Sequence, residues 1–149
     1  MLRVVYQAAT NLEAGRLVDV VETRGQVTVR LRRGTRASDF ITPLNEALAG
    51  LISRGTWFQI WRGQIVSAGT PDSPLLVQYE ADPEVDPLAC VHIRERRGMV
   101  RFHVSPDVRA EDLTRAVNPA LRALLAGGQW FQLWQGEIVT MEGPGAQAA

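Results

Sequence analysis

The sequence predicts an α+β domain built by tandem duplication of a β-β-β-α-β-β unit, and three observations carry that expectation. The segment from Trp57 to Val66 reads WFQIWRGQIV and returns from Trp130 to Val139 as WFQLWQGEIV. Residues 1–69 laid on 74–142 without a gap coincide at 24 of 69 positions, among them Tyr6/Tyr79, Asp39/Asp112, Asn45/Asn118 and Gly55/Gly128. Apolar spacing also switches between a period of two and a helical period in the same order in both copies. Two copies are too few for a solenoid, so a pseudo-twofold pair sharing one core is expected. The domain then divides into repeat 1 at 1–69, a linker at 70–74, repeat 2 at 75–142 and a flexible tail at 143–149.

The first element of each copy is a strand. Leu2, Val4, Tyr6 and Ala8 alternate with other residues, and the same four letters recur at Leu75, Val77, Tyr79 and Ala81. Two runs joined at Arg24-Gly25 and at Arg97-Gly98 follow, the pattern of a hairpin whose glycine supplies a positive φ. A two-residue loop opposes Val20 to Val29 and Val18 to Leu31, giving one apolar face and one polar face. In the second copy the same register puts His92 opposite His103 on the polar face, beside Arg94, Arg96 and Arg101.

Helical spacing comes next, through Phe40, Leu44, Leu48 and Leu51 and through Leu113, Val117, Leu121 and Leu124. Pro119 directly after Asn118 predicts an N-cap and first helical position, hence a break or kink near Asn45 and Asn118. Gly55 and Gly128 are natural stops. The tryptophan hairpin closes the unit. Trp57, Gln59 and Trp61 share one strand face, Phe58 and Ile60 the other. Up to ten mainly antiparallel strands in one or two sheets are expected. The helices should pack on one face over Val18, Val20, Val29, Leu31, Phe58 and Ile60, leaving the Trp-Gln-Trp rows on the far side.

Composition narrows the function classes. The formal charge is zero, from 16 basic and 16 acidic residues, which argues against a general polyanion binder. Every basic residue is arginine, so lysine-based covalent chemistry is impossible and a GC-rich bacterial genome is suggested. Cys90 is alone, so no intrachain disulfide is expected. The N-terminus lacks the layout of a signal peptide and no apolar run approaches a membrane span, which makes a cytoplasmic protein the expectation. P-loop, dinucleotide, nucleophile-elbow, zincin and CxxC signatures are missing, and no cofactor, metal or catalytic residue is assigned.

The aromatic rows remain. Four bare indoles would form an apolar patch that demands a partner. Trp57, Gln59, Trp61, Trp130, Gln132 and Trp134 are therefore the expected binding surface of a non-enzymatic protein-interaction or adaptor module. Such a module would be self-associating, with a homodimer as its simplest form. The alternative is a single-stranded nucleic-acid binder that stacks bases on the tryptophans, with Arg94, Arg96, Arg101, His92 and His103 as anion contacts. A third reading, a small-ligand or metal-dependent enzyme around Glu80, His92 and His103, matches no strong metal spacing.

Overall fold

A computed structural model describes residues 2–23, 26–67, 75–96, 99–128, 130–135 and 137–141, with side chains at 5–22, 26–63, 78–95, 100–128 and 130–135. The first half supplies β1 (Leu2–Ala9), β2 (Val18–Thr23), β3 (Gln26–Arg32), α1 (Ala37–Ser53), β4 (Trp57–Trp61) and β5 (Gln64–Ser67). The second supplies β6 (Leu75–Ala81), β7 (Val91–Arg96), β8 (Met99–Val104), α2 (Ala110–Ala126), β9 (Trp130–Trp134) and β10 (Glu137–Met141). The expected linker, the tail and the residues Arg24, Gly25, Arg97 and Gly98 lie outside the described residues, as does the side chain of Arg96. No described helix is long and apolar enough to cross a membrane.

The strands form one sheet in the order β2-β3-β1-β10-β9-β4-β5-β6-β8-β7. Antiparallel pairings outnumber parallel ones five to four among the described residues. The architecture is α+β, with two helices on a mostly antiparallel sheet. Val20 faces Val29 and His92 faces His103, the registers that the alternating pattern predicts. At the tryptophan hairpin Trp61 pairs with Gln64, so the loop holds two residues. Arg62 and Gly63 both take positive φ, 49° and 84°, which matches the right-handed twist of the flanking strands.

Each helix is continuous, which overturns the expected break at the asparagines. Pro43 and Pro119 are tolerated inside them, and Pro119 is exposed. Asn45 and Asn118 are not caps. Asn118 Oδ1 accepts from the Tyr6 backbone N–H at 2.9 Å, and its Nδ2 donates to the Tyr6 carbonyl at 3.0 Å. Asn45 does the same to Tyr79, at 2.9 and 2.8 Å. The reason lies in strand pairing. Among the described residues β10 pairs with β1 at Leu2 to Val4, and β5 pairs with β6 at Leu75 and Leu76. Beyond those points the strand edges of Tyr6 and Tyr79 need other partners, and the asparagine amides provide them. The helix of each half thus docks on the first strand of the other. The helix starts are exchanged as well: Ala37 N–H donates to Val108 C=O at 2.8 Å and Ala110 N–H to Thr35 C=O at 2.9 Å.

Between the helices and the sheet lies one core containing Phe40, Leu44, Leu48, Leu113, Val117, Leu121 and the inward residues of the strands. At its centre the Tyr79 hydroxyl donates to the Tyr6 hydroxyl at 2.8 Å. Burial raises the Tyr6 phenol to about 12, against a smaller lowering by the bond from Tyr79. It also pushes Tyr79 well above its ordinary value, and Tyr6 adds to that rise.

Unfolded tyrosine ionises near pH 10, so the unfolded state loses its protons first as pH rises. Stability is therefore whole below about pH 10 and declines as pH climbs toward the folded-state values. The chain has two tyrosines, so phenolate absorbance reads this pair alone. We expect that absorbance to stay silent until circular dichroism shows unfolding. Ordinary titration near pH 10 in a folded chain would contradict the buried pair.

Candidate functional site

The tryptophan strands lie at the middle of the sheet, where β4 and β9 run antiparallel. Trp57 faces Trp134, Gln59 faces Gln132 and Trp61 faces Trp130. All six side chains are buried, Trp57 and Trp130 to within 1 % of complete. They share the core with the helices, and their rings meet edge-on at 5.8 Å for Trp57/Trp134 and 5.4 Å for Trp61/Trp130. The helices therefore cover the Trp-Gln-Trp rows, not Phe58 and Ile60, and the expected aromatic binding surface is interior. Ring size explains the reversal. Indoles are the largest apolar groups available, and facing pairs of them fill the space beneath the helices better than Phe and Ile would. Glutamine at the middle of each row disguised an inward face as a polar one.

Burial leaves polar groups stranded. The four indole Nε1 donors and the Oε1 acceptors of Gln59 and Gln132 have no hydrogen-bond partner among the described residues. Each such group weakens the fold by roughly 1–3 kcal/mol relative to a satisfied one. This seam is the least well-matched part of an otherwise apolar core.

The opposite face of the sheet carries neither of the described helices, and it is the candidate site. At its centre Phe58 opposes Leu133 and Ile60 opposes Phe131. Phe58, Ile60 and Leu133 are half-buried, and Phe131 is 38 % exposed. On the first-half flank, Gln7, Val21, Thr28, Arg30 and Arg33 line an open groove of about 700 Å³. Arg30 bonds Asn11 and lies 3.9 Å from Asp19. On the second-half flank Arg101 pairs with Glu80, and His103 Nδ1 lies 2.9 Å from Asp82 Oδ2. A backbone hydrogen bond from Glu84 chiefly holds the Asp82 carboxyl below its ordinary value, and His103 adds to it.

His92 and Arg94 are exposed on this same face. The structure thus brings Arg94, Arg101, His92 and His103 together, but Glu80 and Asp82 stand among them. Glu80, His103 and His92 stand in one cross-strand row, but their side chains are engaged elsewhere: Glu80 goes to Arg101 and His103 to Asp82. Among the described residues no three His, Cys, Asp or Glu side chains gather as a metal set. Cys90 is buried, its thiol donating toward Pro87 C=O at 3.3 Å and pushed up in pKa chiefly by burial.

Sequence reasoning missed Phe58, Ile60, Phe131 and Leu133 as surface. Their signal was present in the strict alternation of both strands, and only the choice of face failed. No family model matches the chain, and no curated protein or solved structure does so either.

Buried indoles emit at short wavelength and resist collisional quenchers. Iodide should therefore leave the fluorescence of the native chain nearly unchanged and quench it after denaturation. Strong quenching in the native state would restore the tryptophans to the surface.

Proposed function

We infer that this chain is a non-enzymatic interaction module that self-associates through the helix-free face of its sheet. One observation carries the reading. Phe131 stands 38 % exposed beside half-buried Ile60, Phe58 and Leu133 at the centre of a face that none of the described elements covers. Removing the rest of Phe131 from water is worth about 2 kcal/mol per protomer at ~25 cal/mol per Å². A net charge of zero keeps long-range repulsion between copies low. The flanking polar contacts, Arg101 with Glu80 and His103 with Asp82, suit the polar rim of such an interface.

The same reading takes the two halves as a duplicated unit around a pseudo-twofold axis between Gln59 and Gln132. The matched register of β4 and β9 supports this, as do the equivalent Asn45–Tyr79 and Asn118–Tyr6 bonds. The site would then straddle that axis, with Phe58 and Phe131 as counterparts. A single-stranded nucleic-acid role loses its stacking platform once the indoles are interior, and it becomes an outcome of the test.

Sedimentation or light scattering across a concentration series should show a dimer. Phe131→Ser combined with Ile60→Ser should weaken it at least about tenfold, for a loss of 1.4 kcal/mol or more, with circular dichroism unchanged. A monomer at every concentration ends this reading. Salt-sensitive oligonucleotide binding lost in the same variant would favour the nucleic-acid role instead.

A further inference from the structure

A second surface lies on the helix side of the molecule, at one edge of the sheet. Among the described residues β2 has a strand neighbour on one side only, so its outer edge offers backbone donors and acceptors. Beside that edge, α1 and β2 enclose a groove of about 430 Å³ whose apolar lining includes Val18, Val20, Ala47, Gly50 and Leu51. Trp134 also lines it. That indole is 4 % exposed, and its Nε1 is itself buried, with no hydrogen-bond partner among the described residues.

The charges along the helix wall set the polarity of what fits. Glu46 and Arg54 line the groove on the helix side with no ion-pair partner among the described residues. On the strand side Arg16 and Asp19 pair with each other at 3.2 Å, and Glu22 accepts from Gln135. Arg54 belongs to the Trp134 end, where Gln135 N–H donates to Thr56 C=O at 2.7 Å and its side chain to Glu22 at 3.2 Å. Glu46 lies two helical turns earlier, about 12 Å away at ~1.5 Å per residue. Four residues of extended chain cover about 13 Å, and residues i, i+2 and i+4 of a strand point the same way.

We propose that this groove binds an extended segment of a partner protein, added as a strand to the edge of β2. Its inward residues are a base against Glu46, an apolar side chain over Gly50 and Leu51, and a carboxylate on Arg54. Main-chain pairing supplies affinity, and the base-apolar-acid spacing supplies specificity. This site is separate from the helix-free face and does not depend on self-association there.

The probes are two capped seven-residue peptides of alternating threonine, with Arg, Val and Glu at the second, fourth and sixth places in one and in reverse order in the other. They cover both strand directions. Titrated into the full chain and followed by nuclear magnetic resonance, one of them should shift the backbone amides of Val18 to Thr23 and the Trp134 indole N–H. Gly50→Leu puts bulk into the groove, and its Cβ meets only the flexible end of the Arg54 side chain, at 3.4 Å. Leucine also favours helix over glycine. That variant should lose binding, and Arg54→Glu should weaken it about tenfold, in line with a lost charge-assisted bond. A peptide carrying Arg in place of Glu should recover binding to Arg54→Glu. No shift at millimolar peptide overturns the proposal. So do shifts that survive Gly50→Leu, or that fall on Phe58 and Phe131.

Discussion

The side-chain amides of Asn45 and Asn118 stand where a neighbouring strand would otherwise run, and the arrangement of the two halves depends on them. Among the described residues β10 and β5 pair with the starts of β1 and β6, and the backbone at Tyr6 and Tyr79 lies beyond those ladders. An unpaired N–H and C=O in that position would be costly. Asparagine can serve both at once, because its amide carries a donor and an acceptor in the geometry of a peptide group. The amide comes from the other half in each case, so these bonds also decide which helix covers which strand. The exchanged bonds at the helix starts and the Tyr6–Tyr79 hydroxyl contact follow from that placement.

Once the helices sit there, the rest of the layout is constrained. Their apolar faces need a floor, and the paired β4 and β9 offer four indoles in facing pairs. The cost is a seam of unpaired indole and glutamine atoms through the core. Turning the tryptophans inward sends Phe58, Ile60, Phe131 and Leu133 outward, since neighbours on a strand point to opposite faces. The apolar patch on the helix-free face is a consequence of core filling. A second chain that covers it would remove that exposure.

Much of the fold was legible in the sequence, because alternation and loop length act locally. The element order, the hairpin registers at Val20/Val29 and His92/His103, and the inward phase of Tyr6 and Tyr79 all follow from spacing. What failed depended on long-range competition. Asn118 before Pro119 has the local form of a helix start, yet the partner that claims its amide lies 112 residues away. Trp-Gln-Trp has the form of a half-polar face, and only the volume demanded by both helices decides that it turns inward. The candidate site inherited that second error, since the rows named as surface and the surface itself are opposite sides of the same strands. The groove beside β2 had no sequence signal, because it arises from the packing of α1 against an edge.

Amide hydrogen exchange at Tyr6 and Tyr79 tests the central claim most directly. With the asparagine amides in place, both N–H groups should exchange only on global unfolding, as slowly as the slowest amides of the core. Asn118→Ala should release Tyr6 to faster exchange while Tyr79 stays protected. If both tyrosine amides exchange at the rate of a frayed strand end in the native chain, the helices are not fastened to the opposite strands and the account fails.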